Sequence, residues 1–107
     1  MVRNIKLTIA YDGTAYHGWQ TQAGKATIQE TTENAIMTIT KQKVDLIGSG
    51  RTDSGVHAFG QVANFKADFG IEEDKIKIAL NANLPKDIRV IKSEDVPLEF
   101  HARFDAH

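Results

Sequence analysis

No cysteine occurs among the 107 residues of the chain. That excludes a disulfide scaffold, a zinc–thiolate centre, an iron–sulfur cluster and a cysteine nucleophile, and it fits a reducing compartment, so a cytoplasmic location is expected. Long apolar runs are missing as well. None exceeds three residues, Ala35-Ile36-Met37 being one, so neither a transmembrane helix nor a signal peptide is expected. The chain also lacks an excess of positive charge. Thirteen basic side chains stand against fourteen acidic ones, for a net charge of −1. A generic polyanion binder would be basic, so any nucleic-acid role has to use a local patch or surface from another chain or segment.

What is present is an ordinary globular balance, 41% hydrophobic and 25% charged. This length suits one compact domain that buries about 60–70% of its unfolded surface. At the N-terminus Ile5, Leu7, Ile9 and Tyr11 alternate with Lys6, Thr8 and Ala10, the period of a half-buried strand. The turn signal Asp12-Gly13-Thr14 ends it, and a polar, aromatic loop follows with Tyr16, His17, Gly18 and Trp19. Thr27-Ile28-Gln29-Glu30 has capping-box spacing, and Ile28, Thr31, Ala35 and Ile39 then form one stripe, so a helix is predicted over 27–41. A short strand is expected over 44–47, a glycine-rich loop over 48–58, and a strand over 61–67 with Ala63 and Phe65 on one face and Val62 and Asn64 on the other. Glu72-Glu73-Asp74 suits a helix start. Ile76, Ala79, Leu80 and Asn83 follow at helical spacing until Pro85 stops the helix, and 88–91 reads as the last strand.

Strand, helix, strand, loop, strand, helix, strand is the ferredoxin-like split βαβ repeat shared by RNA-recognition modules. This α+β arrangement puts two helices on one face of a four-stranded antiparallel sheet and leaves the other face free for a ligand. The final seven residues look like an element cut short.

Gly48 to Gly60 holds four glycines with Arg51, Asp53 and His57. As a phosphate-binding P-loop it fails, because Val56 and His57 stand where lysine and a hydroxyl are needed. As a dinucleotide fingerprint it fails because Asp53 replaces the third glycine. Asp53 and His57 would share a face only on a helix, which Gly50 and Gly55 oppose, so no metal ligand set is assigned. Arg51 and Asp53 remain. In an extended segment they point the same way; they form either a functional pair, with the arginine keeping the aspartate charged or gripping a phosphate, or a structural salt bridge or Asx turn.

Gly50-Arg51-Thr52-Asp53-Ser54-Gly55-Val56-His57-Ala58 resembles the signature loop of the tRNA pseudouridine synthase A family. Tyr11-Asp12-Gly13-Thr14 with Tyr16, Gly18, Trp19 and Gln20, then Gln29-Glu30, Gly60-Gln61-Val62, Asn81-Ala82-Asn83-Leu84-Pro85 with Asp87-Ile88, and Phe100-His101-Ala102-Arg103-Phe104 are similar to further blocks of that family in the same order. The resemblance implies an isomerase that converts uridine to pseudouridine in the anticodon stem-loop of tRNA, with no cofactor. It makes Asp53 the catalytic carboxylate and Arg51 the arginine that orders the site and flips the base, and it places Thr52, His57 and Arg103 among the substrate-binding residues. His57 is also read as a residue that shapes the loop by hydrogen bonding. Ser54 stands where alanine is frequent in the family. Members continue with a second half that supplies a tyrosine, and this chain stops before it. The 107 residues are therefore expected to be a single domain, the N-terminal half of a synthase, with little activity alone and a homodimer expected for the full-length protein. The alternatives are a non-catalytic RNA-binding module, for which Phe65 is the one aromatic residue that strand 61–67 offers to the open face, or a dimerisation unit.

Overall fold

The computed structural model describes residues 1–105. Strand β1 (Arg3–Tyr11) is followed by a single 3-10 turn (Gly13–Ala15), helix α1 (Ile28–Thr40), strand β2 (Ile47–Gly48), strand β3 (Ala58–Ala67), helix α2 (Glu73–Asn83), strand β4 (Ile88–Val96) and a short helix α3 (Ala102–Asp105). The strands form one antiparallel sheet in the order β2-β3-β1-β4. The ferredoxin-like expectation is met. Positions 106–107, the end of the expected C-terminal element, lie outside the described residues.

Alternation decides which side of the sheet is core. Ile5, Leu7 and Ile9 of β1 are fully buried, with Ala63 and Phe65 of β3 and Ile88 and Val90 of β4 beside them. Ile5 lies opposite Phe65 and Leu7 opposite Ala63. Helix α1 closes the core with Ile28, Ala35 and Ile36, and α2 closes it with Ile76 and Leu80. Asn83, expected on the same stripe, is instead exposed and donates to the carbonyl of Ala79.

The helix ends follow their local chemistry. Thr27 is the N-cap of α1, its hydroxyl accepting from the Glu30 N–H at 3.3 Å, which satisfies one orphan donor of the first turn. At the other end Lys41 takes a left-handed conformation, φ 61°. Glu73 and Asp74 occupy the first turn of α2, and Leu84 turns extended just before Pro85.

Three boundaries depart from the sequence expectation. Strand β2 is shorter, because Leu46 gives its backbone to α1: its N–H donates to Glu33 at 2.8 Å and its carbonyl accepts from Gln29 at 3.1 Å. Strand β3 starts earlier, since Ala58 pairs with Tyr11 across an irregularity in the register. Strand β4 runs on to Val96, which pairs with Asn4.

The second face of the sheet is only partly free. Asn4 and Asn64, each 1% exposed, lie there under the returning chain. Asn4 Nδ2 donates to the carbonyls of Pro97 and Phe100, both at 2.9 Å. Asn64 Nδ2 donates to Asn4 Oδ1 at 3.0 Å, and Asn64 Oδ1 accepts from the Ala102 N–H at 2.8 Å. Every polar atom of this buried pair is thereby used, which burial demands. The pair fixes the segment that leads into Arg103.

Candidate active site

The glycine-rich segment between β2 and β3 is held against the end of β1 and the loop after it. Tyr11 Oη and Thr52 Oγ1 share a hydrogen bond of 2.8 Å. The Trp19 N–H donates to the carbonyl of Thr52 at 3.1 Å, and the Gly55 N–H donates to the carbonyl of Tyr16 at 3.2 Å. Two glycines make this approach possible. A Cβ on Gly13 would sit 1.9 Å from the Val56 carbonyl oxygen, and one on Gly18 (φ +82°) would sit 2.3 Å from that of Thr52. Trp19 is buried and packs its indole edge over Gly48. The tryptophan therefore packs this loop against the core and offers no exposed face to a base.

Asp53 is exposed at the tip of this anchored loop, where its own carbonyl closes a turn by accepting from the Val56 N–H at 3.2 Å. Arg51, also exposed, lines a cleft of about 230 Å³ together with Arg103, Trp19 and Gly48. Among the described residues neither Arg51 nor Asp53 takes part in an ion pair. A structural salt bridge between them is thus absent, and both charged ends are left for something else. Arg51 and Arg103, 52 positions apart by number and carried on different elements, are brought to one cleft by the Asn4–Asn64 clamp on the returning chain.

Thr52 contributes inward rather than outward, through its hydroxyl on Tyr11 and its carbonyl on Trp19. Burial raises the Tyr11 phenol above its ordinary range, and the Thr52 contact partly opposes this. His57 accepts from the Gly13 N–H at 2.9 Å through Nδ1, which lies 3.1 Å from Asp12 Oδ1. A neutral ring with its proton on Nε2 satisfies the Gly13 bond; a protonated ring would turn Nδ1 into a donor to Asp12. Asp12 itself is held below the usual carboxylate range, chiefly by the Thr14 hydroxyl and N–H.

For several members of this constellation the sequence carries the residue but not its partner. Tyr16 donates to Asp87 at 2.7 Å, and burial with that contact raises its phenol well above the ordinary range. Tyr11, Asp12 and Asp87 act as supports that only the fold brings together. Phe65, expected on the open face, is 1% exposed and faces the helices, whereas Phe59 is 91% exposed. Phe65 lies opposite Ile5 on the core face, whereas Phe59 enters the sheet only through the earlier start of β3, at the register irregularity between Ile9 and Tyr11. Among the described residues no group of three His, Asp or Glu side chains converges as a metal-ligating set.

Comparison with known proteins agrees with this architecture. A family profile described as tRNA pseudouridine synthase matches residues 7–105. The chain is 55% identical over 105 residues to tRNA pseudouridine synthase A of Acetivibrio thermocellus, covering 98% of this chain and 43% of that protein. It is 56% identical over 103 residues to tRNA pseudouridine synthase A 2 of Clostridium perfringens, covering 96% and 42%. A third relative, tRNA pseudouridine synthase A of Caldicellulosiruptor bescii, is 55% identical over 105 residues, with 98% and 43% covered. The chain thus spans less than half the length of these curated relatives. The profile match takes in both the anchored loop with Asp53 and the segment that carries Arg103, and on that ground the chain belongs to the tRNA pseudouridine synthase family.

Proposed function

We propose that this chain is the N-terminal half of an enzyme that isomerises uridine to pseudouridine in the anticodon stem-loop of tRNA, with Asp53 as its catalytic carboxylate. The observation that carries the assignment is the loop at 50–57, whose backbone is pinned at Thr52 and Gly55 while the Asp53 carboxylate stays exposed and outside any ion pair among the described residues. Catalysis by a positioned group needs a fixed backbone and a free reactive atom.

The reaction breaks the bond from ribose C1′ to uracil N1, turns the base and joins C5 to C1′. A carboxylate can serve by attacking C1′, by adding to C6 of the ring, or by taking a proton from the sugar. Each route begins with the target uridine out of its stack, a cost of a few kcal/mol that the enzyme has to meet. Arg51 and Arg103 face one cleft and are suited to grip a backbone phosphate or to fill the vacated stack. Thr52 and His57 hold the loop in shape around that exchange. In this reading the working enzyme is a cytoplasmic homodimer, whose second half and second subunit supply the positive field that a chain of net charge −1 lacks.

The test uses the chain extended to the length of its relatives and tRNA carrying tritium at uracil C5, since that hydrogen leaves when C5 bonds to C1′. Asp53→Asn is expected to lower tritium release by at least about a hundredfold with tRNA binding retained. Release at the parent rate would remove Asp53 from the mechanism.

A further inference from the structure

A second concavity of about 390 Å³ opens on the uncovered end of the sheet, beyond the reach of the returning chain. Ala10, Ala58, Phe59, Lys86 and Arg89 are among the residues that line it. Phe59 stands 91% exposed there, a large cost in exposed apolar surface for a single side chain with no local partner. Lys86 and Arg89 are exposed too, and among the described residues neither is in an ion pair. The two acids at the rim are already engaged. Asp12 accepts from Thr14 and faces His57, and Asp87 accepts from Tyr16. Both carboxylates keep their charge, so the rim carries two acids and two bases, and among the described residues it is the two cationic side chains that have no hydrogen-bond partner.

An exposed ring beside two free cations, in a space within the range of about 300–1,000 Å³ typical of ligand sites, matches a nucleotide. The ring offers a face to a base, and the cations offer donors to its phosphates. We propose that Phe59, Lys86 and Arg89 form a subsite for one unpaired nucleotide of the RNA substrate, Phe59 stacking on the base while Arg89 and Lys86 hold the flanking phosphates. This rests on the RNA-substrate assignment above but does not use Asp53, so the two stand or fall separately. It also supplies the open-face aromatic that Phe65 does not provide.

The probe is a uridine pentanucleotide, compared with a ribose-phosphate pentamer of the same charge without bases. In the 107-residue chain carrying Phe59→Trp, the new indole is exposed while Trp19 is buried, and the parent chain titrated alongside gives the Trp19 background. The pentanucleotide, titrated into the millimolar range, is expected to quench the new fluorescence, and the abasic pentamer is not. Phe59→Ala is expected to weaken binding of labelled pentanucleotide about tenfold. Lys86→Ala with Arg89→Ala is expected to flatten the salt dependence by close to two phosphate contacts. No quenching at millimolar pentanucleotide, an equal response to the abasic pentamer, or unchanged affinity in Phe59→Ala would each overturn the subsite. So would a doubled mass in light scattering that Phe59→Ala abolishes, since the ring would then be covered by a second copy. Asp53→Asn is expected to leave the quenching unchanged, so failure of the catalytic assignment and failure of this one read out differently.

Discussion

Tyr11 at the end of β1 and Thr52 in the glycine-rich loop share a hydrogen bond of 2.8 Å although 41 residues separate them. The tyrosine is 4% exposed and packs against Trp19, with ring centroids 6.2 Å apart. It therefore transmits the rigidity of the sheet to the residue next to Asp53. Tyr11→Phe keeps the packing and deletes only the hydroxyl, at a cost of about 1 kcal/mol in urea unfolding. Thr52→Val should cost the same, and the double variant little more, so the coupling energy nearly equals either single effect. Additive losses would show that the two hydroxyls act independently.

Gly18 and Gly24 both have positive φ, +82° and +72°, yet their surroundings differ. A Cβ at Gly24 would meet nothing within 4 Å, whereas at Gly18 it would meet the Thr52 carbonyl at 2.3 Å. Gly24→Ala thus carries only the left-handed penalty, about 1–2 kcal/mol. Gly18→Ala adds a collision with the backbone of the signature loop, and a loss of at least about 3 kcal/mol is expected. The paired measurement is thermal or urea unfolding of both variants. Equal losses would mean that the loop does not press on Gly18.

How much of this was legible in sequence depends on how far apart the partners lie. Strand β1 and helix α1 declare themselves through periods of two and 3.6, because Ile5, Leu7 and Ile9, and then Ile28, Ala35 and Ile36, each answer to one nearby surface. Strand β2 misleads, since Val44-Asp45-Leu46 has strand composition while Glu33 and Gln29, on a helix earlier in the chain, take the backbone groups of Leu46. The glycine-rich loop was recognisable as a site by composition and by family likeness. The residues that support it stand in the same family-like blocks, but their pairing is not legible there: the Gly13–His57 bond spans 44 residues and the Tyr16–Asp87 bond 71. Asn64 shows the same limit. Alternation put it on the open face, and only the return of the chain through Ala102 makes it a buried acceptor.

Arg3 and Asp95 join the outer ends of β1 and β4 through two bonds of 3.0 and 2.8 Å, while Arg3 also donates to the carbonyls of Phe69 and Ile71. The Arg3 hydrogen bonds hold the Asp95 carboxyl below its ordinary range, and the same pair raises the guanidinium. A carboxyl whose folded pKa is depressed contributes stability above its unfolded value, and that contribution is lost as pH falls through the folded value. Because Asp95 is 44% exposed, solvent screening limits the contribution at neutral pH to about 0.5–1 kcal/mol. Asp95→Asn keeps an acceptor for Arg3 but removes the proton linkage. Wild type should therefore be the more stable of the two at pH 7 and lose that advantage below the ordinary carboxylate range, the two unfolding curves converging in strong acid. A gap that persists there would assign the difference to packing rather than to the charge.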